Sequence, residues 1–189
     1  MSGIKDYRIG GIGCGSVFVG GHMPSHAAIR INGDMLVGFY DVDIKKAEIA
    51  KRIYAQMLQD YIDGKKEPFI RIWGYRPPEE EIIQKYKENL AELTVYKNVD
   101  EFLDNVDIVY VTTPHRWHVD YAVKALEHDV NVATEKPMGR TWWECRRIVE
   151  AAKKSKAKYQ LSDNNAYDSG YLMFKKIMDA GDVGEISYI

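Results

Sequence analysis

Between Tyr7 and Leu161, short apolar runs alternate with helical periodicities, and this alternation constrains the fold more than any other feature of the chain. Tyr7 to Ile12, Met35 to Tyr40, Thr94 to Tyr96, Asp107 to Thr113, Asn131 to Ala133 and Tyr159 to Leu161 read as strands. Ile44 to Ile62 carries Ala50, Ile53, Tyr54, Met57, Leu58 and Tyr61 at the spacing of one helical face, and Gly64 ends it. Val119 to His128 turns Ala122, Val123, Ala125 and Leu126 inward in the same way. Thr141 and Glu144 have capping-box spacing, and the helix they open is expected to bury Cys145, Ile148, Val149 and Ala152, with one of Trp142 and Trp143 facing the core. The alternation predicts an α/β fold: a doubly wound parallel sheet with helices on both faces.

The first strand runs into Gly13-Cys14-Gly15-Ser16-Val17-Phe18, a dinucleotide fingerprint whose third glycine is replaced by Phe18. The first glycine permits the tight turn and the second lets backbone approach a pyrophosphate. Gly13, Gly15, Ser16 and Val17 are therefore candidate cofactor contacts, with the N–H groups of the following helix aimed at the anion. Phe18 cannot give the close packing of a third glycine, so the helix is expected to start differently. It continues through Pro24 to Asn32, with Gly33 as its cap. The second strand ends at Asp41, an acid placed to accept both adenosine ribose hydroxyls and to repel a 2′-phosphate. With Asp43 close by and no arginine directly following, NAD is favoured over NADP.

Residues 65–93 add a helix, opened by Pro77-Pro78-Glu79, that a plain alternation does not require. Ile82, Ile83, Tyr86, Leu90 and Leu93 mark its inner side, and the stretch reads as an insertion: a surface embellishment in the plainest reading, or else a cap on the adenine end of the cofactor or a contact with another subunit. From Asp168 the texture changes. Leu172, Phe174, Ile177 and Met178 mark a helix ending at Gly181, and Glu185 to Ile189 alternates like a half-buried strand. Residues 1–164 are read as one domain and 165–189 as the start of a second that continues beyond Ile189.

A net charge of −2 with no basic block disfavours nucleic acid, and no apolar run approaches a membrane span. Two cysteines form no disulfide framework, which suits the cytoplasm. His22, His26, His115 and His118 have inviting spacing, but nothing in the sequence joins the two pairs to a carboxylate, and no metal is expected.

Gly13-x-Gly15, Asp41, Thr113-Pro114-His115-x-x-His118, Glu135-Lys136-Pro137 and Gly181-Asp182-Val183-Gly184-Glu185-Ile186 occur in one order. Together they resemble the glucose–fructose oxidoreductase/inositol dehydrogenase family, Gfo/Idh/MocA. The resemblance implies a Rossmann-type domain followed by a mixed α/β domain, and the NAD- or NADP-dependent oxidation or reduction of sugars, cyclitols and related polyols. It implies that Thr113, Pro114 and His118 line the groove near the cofactor, that Glu135 and Lys136 lie beside the nicotinamide ribose and the substrate hydroxyl, and that Lys136–Pro137 is cis. It also implies a homo-oligomer when the protein is complete. Ala166 stands where many members carry an arginine, and the family's histidine with its nearby aspartate would lie beyond Ile189.

Lys136 is the catalytic candidate, as a cation stabilising alkoxide charge or, if buried, as a proton carrier. Two other functions fit the same residues: a non-catalytic NAD-binding or sensing module, and a glycoside hydrolase of the same family that uses NAD.

Overall fold

The computed structural model describes residues 7–29, 34–66 and 79–185. Its centre is a six-stranded sheet in the order β3-β2-β1-β4-β5-β6. The strands are β1 (Tyr7–Ile12), β2 (Asp34–Tyr40), β3 (Thr94–Val95), β4 (Ile108–Val111), β5 (Asn131–Glu135) and β6 (Tyr159–Ser162), and every pairing is parallel. This is the doubly wound architecture expected, with the order reversing between β1 and β4. The helices are α1 (Met23–Ile29), α2 (Ile44–Ile62), α3 (Glu79–Glu92), α4 (Val99–Leu103), α5 (His118–Glu127), α6 (Trp142–Lys154) and α7 (Ser169–Asp179). A π turn, Phe18–His22, precedes α1.

Each face of the sheet has its own core. Ile9, Phe18, Leu36, Phe39, Tyr54 and Tyr86 form one, under α1, α2 and α3. Ile12, Val37, Phe102, Val109, Val111, Ala122 and Ile148 form the other, under α4, α5 and α6. The two faces meet at a glycine pair in β1. A Cβ on Gly10 would overlap the ring of Phe102, and one on Gly11 would overlap the ring of Phe18. The missing third glycine of the fingerprint is thus compensated: Phe18 is fully buried because Gly11, on the strand beneath it, makes the room. Burying such a ring stabilises the fold by on the order of 2 kcal/mol. A register shift between Ile9 and Gly10 skips Val37 on β2. Val37 and Gly38 then share the face of Phe102 and Val106, which is the effect of a bulge.

Two expectations change. Helix α3 is not a surface embellishment, because Ile82, Tyr86 and Asn89 are buried. Tyr86 Oη donates to Ala27 O at 2.8 Å, Asn89 Nδ2 donates to Leu36 O at 2.8 Å, and Tyr54 Oη donates to Asn89 Oδ1 at 3.1 Å. A buried amide that closes both ends of its hydrogen bonding ties α3 to β2 and α2. Second, α6 begins as expected, with Thr141 Oγ1 accepting from Glu144 N at 3.2 Å, but of its residues only Ile148 is buried. Val149 is 42% exposed, and Trp142 and Trp143 are 65% and 70% exposed, so neither indole enters the core. The rings instead meet edge to face, and Arg146 lies over Trp142. Helix α1 is described as far as Ile29; the expected continuation to Asn32 and the Gly33 cap lie outside the described residues, as do residues 67–78 of the proposed insertion and the strand expected after Glu185.

Candidate cofactor and active site

Parallel pairing aligns Ile12 with Tyr40 on one side and with Val111 on the other. The turns that follow β1, β2 and β4 therefore emerge together, where a doubly wound sheet binds ligands. Backbone and side-chain bonds stitch them. Gly13 N donates to Tyr40 O at 2.9 Å, and Thr112 Oγ1 donates to Gly13 O at 2.6 Å. Gly13 has φ 93°, and a Cβ there would lie 2.8 Å from Thr113 N, so the turn requires glycine both for its conformation and for its room.

Asp41 sits at the end of β2 as expected. Its Oδ2 accepts from Cys14 N at 2.8 Å and its Oδ1 from Asp43 N at 2.9 Å. It is not the helix cap: Asp43 caps α2, accepting from Lys45 N. Two backbone donors fix the Asp41 carboxylate in direction. Burial, and then the Asp41 charge, push the Cys14 thiol up to about 12.

Beside Asp41 lies a cavity of about 320 Å³, lined by Gly13, Tyr40, Val42, Lys46, Thr113, Pro114, Arg116, Trp117 and Tyr121. Burial and the neighbouring Tyr40 push the Tyr121 phenol up to about 12. Sequence reasoning did not single out Lys46, Arg116, Trp117 or Tyr121. Arg116 lies over the Trp117 ring at 5.2 Å, and a cation followed by an aromatic after Thr113-Pro114-His115 is the signal that was available. A second cavity, about 630 Å³, takes in Ser16, Val17, Gly20, Gly21, His22, Thr113, His118, Glu135 and Lys136. Thr113 borders both. Every expected site residue except Gly15 therefore lines one of these two adjoining cavities. A roomier cavity, about 900 Å³, lies between α5 and α6 and contains none of them. Volume does not pick out the site; the strand ends do.

The groove suits a dinucleotide. Added Cβ atoms on Gly15, Gly20 or Gly21 would meet nothing within 4 Å, so their bareness serves open space and not internal packing. Thr113 Oγ1 is buried with no hydrogen-bond partner among the described residues, an acceptor and donor left for a ligand. Among the described residues no group of His, Cys, Asp and Glu could hold a metal ion.

His118 was expected to line the groove. Its ring does border it, but Nδ1 lies 2.8 Å from Pro137 O and Nε2 2.8 Å from Thr113 O. The side chain, fully buried, bridges the turn after β4 to the turn after β5. Lys136 is exposed immediately after β5, and its bond to Pro137 is cis. Glu135 Oε2 accepts from Lys136 N at 3.3 Å, and Glu135 Oε1 lies 3.0 Å from His22 Nε2. Behind His22, burial and the His22 charge push buried His26 down to about 4. His26 Nδ1 is 3.9 Å from Asp34 Oδ2 and makes no hydrogen bond to any other described residue. At that distance desolvation wins, and the contact is not ionic.

The sheet order, the glycine turn and the fixed acid after β2 define a dinucleotide-binding domain. A model of the Gfo/Idh/MocA oxidoreductase family, NAD-binding Rossmann fold, matches residues 7–162, and the chain belongs to that family. Inositol 2-dehydrogenase of Salmonella typhimurium is 37% identical over 104 residues, 54% of this chain and 31% of that protein. A family 109 glycosyl hydrolase protein of Shewanella is 30% identical over 106 residues, 53% of this chain and 23% of that protein. Among solved structures, myo-inositol dehydrogenase of Lactobacillus casei, in complex with NAD(H) and myo-inositol, superposes with a TM-score of 0.66 at 22% identity, over 93% of this chain and 42% of that one. The WlbA dehydrogenase of Bordetella pertussis, in complex with NADH and UDP-GlcNAcA, superposes with a TM-score of 0.68 at 18% identity, over 96% of this chain and 42% of that one. At those identities the superpositions show the fold. The chain spans 31% of the inositol dehydrogenase it matches and 42% of the superposed structures. No helix among the described residues is long and apolar enough to cross a membrane.

Proposed function

We propose that this chain is the cofactor-binding part of an NAD-dependent oxidoreductase acting on a hydroxyl or carbonyl of a sugar, cyclitol or related polyol. The observation that carries the proposal is the position of Lys136 in the groove shared with Ser16, Val17 and Thr113, one turn away from the cavity beside Asp41. The relatives named as inositol dehydrogenases support the substrate class.

Asp41 takes the adenosine ribose in this assignment, and its pinned carboxylate opposes a 2′-phosphate. Gly13, Gly15, Ser16 and Val17 take the pyrophosphate, and Thr113, Pro114 and His118 shape the wall. Bound there, the nicotinamide supplies the carbon that accepts or gives the hydride. Lys136 binds the substrate hydroxyl and stabilises negative charge growing on its oxygen. Its exposure favours a fixed cation over a proton carrier.

Residues 165–189 open a second, substrate-bearing domain in this proposal. The uncovered apolar residues of α7, Tyr171, Leu172, Met173 and Phe174, support it. A cytoplasmic location is proposed from the free thiols of Cys14 and Cys145, and homo-oligomerisation is proposed for the complete protein.

Calorimetric titration of NAD and NADP tests the cofactor assignment. NAD is expected to bind more tightly, and Asp41→Ala to weaken NAD and narrow the gap; equal or reversed affinities in the unmodified chain remove Asp41 from its role. For the chemistry, Lys136→Met in the complete protein is expected to leave NAD binding within about threefold and to lower turnover by roughly two to four powers of ten. Retained turnover on a polyol found by screening ends the role of Lys136. NAD binding without any turnover in that screen favours the sensing module.

A further inference from the structure

We propose that His22 is a positioning residue that holds the Glu135 carboxylate away from Lys136, leaving the lysine free in the groove. The proposal rests on the reading of that groove as the cofactor site. His22 arrives there because of the π turn. Met23 N closes the turn on Phe18 O, one residue further back than an α-helix would. Each residue of an α-helix turns about 100° around the axis, so removing the extra residue would swing His22 off this line by about that angle.

The contact itself is specific. Glu135 Oε1 is 3.0 Å from His22 Nε2. A carboxylate can only accept, so Nε2 carries the proton and donates. The two side chains are 17% and 19% exposed, which keeps most competing water away. Rings hold the imidazole: Tyr110 is 4.5 Å away between centroids, and Phe18 is 6.3 Å away. Phe18 is itself locked beneath Gly11, so the strand glycine fixes the histidine at one remove.

The carboxylate needs such a holder. Glu135 and Lys136 are chain neighbours on the same turn, and opposite charges so placed attract. Among the described residues no ion pair is made by the Lys136 ammonium, while Glu135 is paired with His22. Glu135 Oε2 also accepts from Lys136 N, which ties the backbone of the lysine to the same carboxylate. His22 thus satisfies Glu135 and orients the turn that carries Lys136. Gly20 and Gly21, on the same π turn, keep the wall opposite Lys136 bare.

The test uses this chain with NADH and with AMP, which contains only the adenosine end, measured by calorimetry for the unmodified chain, His22→Ala, His22→Gln, Glu135→Gln and the double variant His22→Ala/Glu135→Gln. His22→Ala is expected to weaken NADH by about threefold, no more than loss of the Lys136 charge itself does, and to leave AMP unchanged. His22→Gln, whose amide can still donate to Glu135, is expected to recover most of the loss. The double variant is expected to match Glu135→Gln alone, because the histidine acts through the carboxylate. Unchanged NADH binding in His22→Ala overturns the proposal, as do additive losses in the double variant. A parallel fall in AMP and NADH, with a lowered melting temperature, overturns it by making His22 a structural residue only. If the unmodified chain binds AMP and NADH equally weakly, the cofactor assignment of the groove falls first, and the role of His22 with it.

Discussion

Helix α2, of 19 residues, buries Ala47, Ala50, Tyr54 and Leu58, whereas α7, of 11 residues, carries Tyr171, Leu172, Met173 and Phe174 and buries none of its residues. Both helices start on an aspartate cap: Asp43 accepts from Lys45 N, and Asp168 accepts from Gly170 N and Tyr171 N. Local signals are therefore equal, and the difference lies in what each helix meets. Helix α2 crosses back over the sheet and is sandwiched by β2 and α3. Helix α7 follows β6, the last strand in the order, and among the described residues has no further strand to cover. Amphipathic pattern tells which face of a helix is apolar; position in the topology tells whether the sheet can take it.

The largest effect that could break this comparison is a pair of phenylalanine truncations. Phe18→Ala is expected to cost about 3–5 kcal/mol in urea unfolding, and Phe174→Ala less than about 0.5 kcal/mol in this chain. Equal costs would mean that α7 is covered after all. A smaller effect concerns His26, buried in the well-packed half and faced by His22, Tyr110 and Asp34. Its folded value is about 4 against 6.5 in an unperturbed ring. The unfolded chain therefore takes up a proton first as pH falls. The stability contributed by a neutral His26 is complete above 6.5 and is lost on the way down to about 4, for a total of about 3 kcal/mol. Unfolding at stepwise pH should show that slope, and His26→Leu should flatten it. The smallest effect is at the other end of the comparison. Trp143→Ser on α6 is expected to change stability by under about 0.5 kcal/mol, read from the same unfolding curves.

Much of the sheet was legible before the structure. Helix α2 has the bounds its periodicity implies, and the strands fall within a few residues of their apolar runs. Asp41 and Lys136 could be placed because both immediately follow strand ends, and parallel strand ends converge. What could not be read depends on partners distant in sequence. The fate of Phe18 is decided by Gly11 on β1, and the π turn that follows is invisible to a hydrophobic pattern. Asn89 reads as a polar surface residue until Tyr54 and Leu36 O are found around it. On α6 the error ran the other way: Val149 and one of the paired tryptophans looked like core, but the helix covers the sheet chiefly through Ile148. At the site, Arg116, Trp117 and Tyr121 reach the Asp41 cavity only because the turn after β4 folds over the end of β1.

The burial of Cys14 has a consequence for chemical reactivity. Oxidants and alkylating reagents attack thiolate, and a thiol held at about 12 offers roughly one thiolate in 10⁵ molecules at neutral pH. Burial therefore protects the cysteine at the heart of the fingerprint from peroxide and maleimide, and argues against a redox switch in the turn proposed to face the pyrophosphate. Cys145, half-buried on α6, is left as the thiol open to labelling, so a fluorophore can be attached there without altering the cofactor turn.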